Sequence, residues 1–250
     1  MALNRITFML LIAASLLTAC SSIQHISKTA ITYDSVSASS AAPDSKIDSI
    51  IAPYKGQIDE SMSEVVGTVS KEMTKKKPES TLGNWYCDAM LSGAEYAGFE
   101  VDFAISNYGG LRVPYLSQGP LTRGEIFELS PFDNWLVIVD IPGTALDSVL
   151  QFIAESEGWP VSKGLNMVIK DKRLVSIRIK GQPLDPRKTY HVAMPDYIAN
   201  GGDGFKILIP LPRQSTGLLQ RDIVIAYAQA LTREGKEISA DVEGRITIEK

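Results

Sequence analysis

The sequence predicts a mixed α/β (α+β) layered domain, with mixed sheets flanked by helices. Two observations carry this. Segments with apolar residues at helical spacing alternate along the chain with short segments of strand-like character. Among the strands, two lie close enough together to form a hairpin. With 250 residues, the chain is long enough for one well-buried domain plus a tail.

At the N-terminus, Arg5 precedes an apolar run over residues 6–17, which ends in Leu17-Thr18-Ala19-Cys20. This reads as a secretory signal. The run is short for a membrane-spanning helix. Leu-Thr-Ala-Cys resembles the bacterial lipobox, in which the cysteine is acylated and becomes the new N-terminus. The competing reading is ordinary cleavage near Ala19, with Cys20 a bystander. The expected organisation is a lipoprotein signal peptide over residues 1–19, a lipidated Cys20 with a Ser-rich tether over residues 20–45, and a folded domain over residues 46–250. That places the chain in the cell envelope, held at a membrane, with the outer membrane consistent with Ser21 after the cysteine. Several acyl chains on one cysteine anchor a protein stably.

Within the tether, residues 30–36 have strand character, and residues 37–44 read as linker. Ile47, Ile50, Ile51 and Tyr54 recur at helical spacing, with Pro53 a late strain on that helix. Residues 65–69 read as a strand. Thr81 opens the clearest helix, its stripe made by Leu82, Trp85, Cys87 or Ala89, Met90, Ala94 and Ala97, with Gly98 ending it. Cys87 is expected as a buried free thiol. In the strand over residues 101–106, Val101, Phe103 and Ile105 point inward, and Asp102, Ala104 and Ser106 outward. Residues 135–141 form a second apolar strand. Gly143 and Thr144 introduce a helix carrying Leu146, Val149, Leu150 and Ile153, with Thr144 as its cap. Residues 167–169 and 174–180 make a hairpin around Asp171-Lys172. Residues 190–194 are a further strand. Asp222 opens a last amphipathic helix closed by Gly235, and residues 245–248 return to the sheet.

Net charge is −4, so no basic field for a nucleic-acid polymer exists. The one basic run, Lys75-Lys76-Lys77, reads as a solvated loop or helix end, or as a phosphate-facing patch.

The chemistry concentrates in residues 102–143. A strand runs into Asn107-Tyr108-Gly109-Gly110, where two glycines allow positive φ and close approach to a ligand. Arg112 follows, a planar fork suited to phosphate or carboxylate. Pro131-Phe132-Asp133-Asn134 then sets an aromatic face beside an amide. The set Asn107-x-Gly-Gly-x-Arg112, Pro131-Phe132-x-Asn134, and Gly201-Gly202-Asp203-Gly204 preceded by Tyr197 resembles the C-terminal domain of the 5′-nucleotidase family. The likeness extends upstream to Leu82-Gly83-Asn84 and Asp88-Ala89-Met90. It covers roughly the last two hundred residues, in the family order.

The resemblance implies that Phe132 and Tyr197 clamp a nucleobase between them, a stack worth about 1–3 kcal/mol per base. It implies that Asp203 accepts hydrogen bonds from ribose and that Arg112 faces the phosphate. Asn134 has an amide that donates and accepts together, as reading a base edge requires. Asn107 orients Arg112 or touches substrate. Each has a plainer alternative: a surface ion pair for Arg112, core for Phe132, an Asx turn for Asn134, and turn chemistry for Asn107 and Asp203. Gly164 matches a further family segment less well, because Lys163 interrupts it. The family's frequent arginine near the Leu-Gly-Asn helix is Pro78 here, so base stacking is a firmer expectation than phosphate holding.

The family's full enzymes carry a metallophosphatase domain, with two metals held by carboxylates and histidines. This chain has two histidines, His25 in the tether and His191 in a strand, and no His-x-His, Gly-Asn-His or Asp-x-His pair. No Gly-x-Ser-x-Gly elbow offers another nucleophile. No catalytic or metal-ligating residue and no cofactor is therefore expected on this chain. Divalent metals belong to a separate metallophosphatase chain. The expected function is nucleotide or nucleoside binding for a 5′-nucleotidase-type hydrolase in nucleotide catabolism. The alternative is a non-catalytic nucleoside-binding or scaffold lipoprotein.

Overall fold

A four-stranded mixed sheet divides the hydrophobic interior into two cores, and its three strands other than the polar edge strand near residue 215 carry apolar residues on both faces. The computed structural model describes residues 44–249. Cys20, the signal and the strand expected over residues 30–36 lie outside the described residues. Residues 51–250 form one compact unit; of the other, residues 1–50, only 44–50 are described.

In chain order the elements are α1 (Ser45–Met62), β1 (Val65–Val69), β2 (Met73–Thr74), α2 (Thr81–Tyr96), β3 (Phe103–Ala104), β4 (Tyr115–Leu116), β5 (Gly119–Thr122), α3 (Arg123–Leu129), β6 (Trp135–Pro142) and α4 (Gly143–Glu155). Then follow β7 (Leu165–Lys170), β8 (Arg173–Ile179), β9 (Gln182–Pro183), β10 (Thr189–Pro195), α5 (Asp196–Ala199), β11 (Arg213–Leu219), α6 (Gln220–Arg233) and β12 (Ile246–Glu249).

The dividing sheet has the order β11-β6-β10-β3, with β3 parallel to β10 and the other pairs antiparallel. Its period-two alternation serves both sides. Leu136, Ile138 and Ala193 enter one core with α2 and α6; Val137, Val139, Ile141, Val192 and Met194 enter the other with α4. This corrects the reading of β3. Ala104 and Ser106, expected outward, are buried, because the strand is covered on both faces. A second sheet, β12-β7-β8-β9, packs its β8 against α4. Its β7–β8 hairpin turns at Asp171 and Lys172, both at positive φ (49° and 60°), as a tight hairpin between right-twisted strands requires.

Ser80 caps α2 by accepting from Gly83 N, and Leu82 to Cys87 are all buried, so this helix lies deep on nearly every side. The Cys87 thiol is free and buried; burial, then the neighbouring Asp88, push its pKa up. At α4 the expected cap is corrected. Pro142 takes the cap position and Thr144 lies exposed in the first turn, while Gly143 packs so tightly that a Cβ would stand 2.3 Å from Asp185 O. Pro53 does not end α1, which runs on to Met62 with no residue buried; Ile47, Ile50, Ile51, Tyr54 and Ile58 are exposed.

The Leu82-Gly83-Asn84 and Asp88 piece serves the frame. Glu79 accepts from Asn84 Nδ2 (2.6 Å) and from the backbone N–H groups of Glu243 and Arg245 (2.8 Å each). Arg245, nearly fully buried, donates to both Asp88 oxygens at 2.8 Å and to Val161 O at 3.0 Å. These charge-assisted bonds fix the segment leading into β12 against α2.

Candidate functional site

The site is built where β3, β6 and β10 end. Beyond β3, the buried Asn107 starts a single 3₁₀ turn, Tyr108–Gly110. Neither Gly109 nor Gly110 takes a positive φ, which corrects the conformational reason for the pair. What Gly110 supplies is room: a Cβ there would stand 2.6 Å from Asn107 Oδ1. Before β6, the irregular segment over residues 131–134 carries Phe132 and Asn134. After β10, the single turn α5 carries Tyr197, and the chain then doubles back through Gly201 (φ 90°), Asp203 (φ 52°) and Gly204 (φ 88°).

Asn107, Arg112, Phe132, Asn134, Tyr197 and Asp203 line one cavity of about 290 Å³, together with Gly109 and Gly110. Phe132 and Tyr197 are each 45% exposed, so neither ring is core. The Tyr197 ring lies on Gly202, where a Cβ would meet ring atoms at 2.5–2.6 Å. Its hydroxyl donates to Asp203 Oδ1 at 2.9 Å, and Asn107 Nδ2 donates to Asp203 Oδ2 at 2.6 Å. Asn107 thus orients Asp203 rather than Arg112, which corrects that expectation. The two donors fix the carboxylate's rotamer and leave each oxygen a second lone pair for a ligand hydroxyl.

Asp196 Oδ1 accepts from Trp135 N (3.2 Å) and Tyr197 N (2.8 Å), joining the Phe132 arm to the Tyr197 arm. The Asn134 side chain makes no hydrogen bond among the described residues; its carbonyl accepts from Gln220 N at 2.8 Å.

The cavity also carries a positive charge, Arg112. Arg112 stands over the Phe132 ring at 5.6 Å. The Lys75 ammonium donates to Leu111 O at 2.7 Å and lies 4.2 Å from the Tyr108 ring centroid, with Lys77 at 5.2 Å. Among the described residues none of these three cations meets a carboxylate within ion-pair distance. Burial, then the Arg112 charge, pull Lys75 below the usual lysine range. Lys75 and Lys77 therefore pack against the loop that carries Arg112, a place their sequence run did not reveal.

Other candidates fall elsewhere. Gly164, at φ 98°, lies so close to the backbone of Asp102 that a Cβ would stand 2.6 Å from its carbonyl oxygen, which is a packing role. His191 Nδ1 pairs with Asp140 Oδ1 at 2.7 Å across β10 and β6. No group of three or more His, Cys, Asp or Glu among the described residues is placed to hold a metal ion. A larger cleft, about 350 Å³, lies between α2 and α6, and its only charged lining residues are Asp222 and Arg233.

Residues 63–209 match the family described as 5′-nucleotidase, C-terminal domain. The protein UshA of Escherichia coli is 28% identical over 191 residues, covering 72% of this chain and 34% of that protein. UshA of Yersinia enterocolitica is 27% identical over 197 residues, covering 75% of this chain and 35% of that protein. The chain thus spans about a third of the length of these relatives. The crystal structure of a 5′-nucleotidase precursor from Thermus thermophilus superposes with a TM-score of 0.69 at 28% identity, covering 84% of this chain and 44% of that one. The Haemophilus influenzae NAD nucleotidase shares the fold, with a TM-score of 0.63 at 22% identity and coverage of 82% and 41%. The mixed α/β layers, the ordered motifs and these matches give one answer: the chain belongs to the 5′-nucleotidase C-terminal domain family.

Proposed function

We propose that this domain binds a nucleoside or nucleotide and presents it to a separate metallophosphatase chain, which carries out the hydrolysis. In this reading the base lies between Phe132 and Tyr197, with the unengaged amide of Asn134 at its edge. Asp203 accepts from the sugar hydroxyls, and Arg112 faces the anionic end. The observation that carries the reading is the shared cavity. It gathers two half-exposed rings, an oriented carboxylate and an uncompensated cation from segments far apart in the chain. Flat apolar faces for a base, acceptors for a diol and positive charge for a phosphate are the three recognition elements a nucleotide requires. Lys75 and Lys77 beside Tyr108 extend the positive end and supply cations near the position where Pro78 removes the family's arginine.

This reading assigns the phosphatase step to a partner, and it is supported by the described residues presenting no group of three or more His, Cys, Asp or Glu placed to hold a metal ion. Acylation at Cys20 would hold the pair at a membrane surface of the cell envelope.

Calorimetric titration with adenosine and adenosine monophosphate tests the binding. Heat is expected with both, and the affinity falls by roughly 5- to 150-fold in Phe132→Ala or Tyr197→Ala. No heat with either ligand overturns the reading. Mixing with a metallophosphatase chain, a nucleoside monophosphate and a divalent metal tests the division of labour. Phosphate release is expected only from the mixture.

A further inference from the structure

Phe132 and Asn134 sit on four residues without regular secondary structure, and exposure denies Phe132 the core packing that fixes most side chains. Something else must hold this segment. The first two residues of α6 do so. Gln220 N donates to Asn134 O at 2.8 Å. Arg221, 8% exposed, donates from Nη1 to Pro131 O at 3.2 Å and from Nη2 to Asp133 Oδ1 at 2.6 Å. The guanidinium is itself held, its carbon 4.0 Å from the Phe127 ring centroid. Its Nε is buried without a partner, a cost that the protein accepts to keep the fork in place.

We propose that Arg221 is the positioning residue for the base-binding arm. It straddles Phe132, bonding the residue before it and the residue after it, and so sets the height and tilt of the ring over the cavity. A planar fork fixed on an aromatic face is the side chain that can bond acceptors on either side of one residue without freedom to swing. Lysine would keep the charge and lose this geometry. The inference rests on the proposed nucleoside site, but its structural half stands without a ligand.

The test therefore has two readouts. Hydrogen exchange of peptides covering residues 131–135, measured without ligand, reports the tie through the Trp135 amide, which donates to Asp196 Oδ1 at the end of this segment. In Arg221→Met, which keeps an apolar chain over Phe127, exchange there is expected to rise about tenfold or more, with β12 unchanged. Arg221→Lys should show most of the same rise. Asp133→Asn, at a side chain 75% exposed, removes the charged partner with little risk to folding and should show part of it. The second readout is adenosine affinity. Arg221→Met should weaken it by about tenfold, the size typical of coupling between contacting groups, and should add nothing in a Phe132→Ala background. A residue that merely stabilises the fold would cost the same in both backgrounds. Unchanged exchange in Arg221→Met and Asp133→Asn overturns the tie. An equal affinity loss with and without Phe132 overturns the positioning role. Faster exchange in a protein whose unsubstituted form binds no nucleoside sinks the nucleoside reading alone and leaves Arg221 as the tie of this loop.

Discussion

Gly202→Ala acts on the site through the Tyr197 ring and the bond that ring makes to Asp203. The φ of Gly202 lies outside the left-handed region, so alanine brings no backbone strain there. Its Cβ would stand 2.5–2.6 Å from three ring carbons of Tyr197, where carbon atoms normally rest at about 3.5–4.0 Å. The ring must therefore move by roughly 1 Å or more. It is half-exposed, so it has solvent to move into, and the fold loses little. The 2.9 Å bond from the Tyr197 hydroxyl to Asp203 breaks with that movement. A bond to a charged acceptor is worth about 1.5–3 kcal/mol at most, and less at an exposed site. A displaced ring forfeits the stack, about 1–3 kcal/mol, which is roughly 5- to 150-fold in affinity. Calorimetry with adenosine should show that loss, with Tm lowered by only a few degrees. In a Tyr197→Ala background the same glycine change should cost nothing. Gly202→Ala with the affinity of the unsubstituted protein would refute the stacking role of Tyr197. A loss that persists without Tyr197 would refute the steric route.

Three further outcomes follow from the frame. Arg245→Met strands the carboxylates of Asp88 and Glu243, Asp88 being partly buried, and should destabilise by about 3 kcal/mol, a Tm fall of roughly 6–12 °C in thermal unfolding. Cys87, free and buried with its pKa raised, should resist alkylation at pH 8 in the folded protein and react on unfolding, as peptide mapping would show. The same group makes stability fall as pH rises above about 8.5: the unfolded thiol releases its proton there while the folded one keeps it, so the unfolded state binds fewer protons. Denaturant midpoints at pH 8 and pH 9.5 should show this slope, and Cys87→Ala should flatten it.

The sequence declared the helices whose stripes are buried and the β6 and β10 strands, because their signals are local and strongly periodic. Its six candidate residues, each in a short motif whose order along the chain could be compared with a family, do line one cavity. It did not declare β11. Arg213-Gln214-Ser215-Thr216-Gly217 is polar and mostly exposed, and its pairing with β6 is made with residues some seventy positions earlier, so no local pattern marks it. The stripe of α1 misled in the other direction: periodicity reports an apolar face, and Ile50, Ile51 and Tyr54 remain exposed on theirs. Asn107 was read with its sequence neighbour Arg112, yet its amide reaches Asp203, ninety-six positions on. Arg221 gave no signal because its role consists of bonds to residues about ninety positions away.

The misses at Asn107 and Arg221 share a physical cause that bears on how the proposed site works. A stacking ring has to stay open to solvent until a base arrives, so hydrophobic burial cannot hold it. The structure holds Phe132 and Tyr197 by polar ties instead: Arg221 to the carbonyl and carboxylate on either side of Phe132, the Tyr197 hydroxyl to Asp203, and Asp196 bridging the backbones of both arms. Each tie is weak beside a buried aromatic, which contributes about 1.5–3 kcal/mol, but each is directional, and direction is what a sandwich of two rings requires. Because Asp196 joins the arms and the Tyr197 hydroxyl bonds Asp203, the carboxylate proposed to face the sugar, loosening one tie tilts more than one of the proposed recognition elements. Affinity losses at Arg221, Asp196 and Asp203 should therefore be strongly non-additive, whereas losses at Arg245, which serves only the frame, should appear in stability and leave the intact folded fraction binding normally.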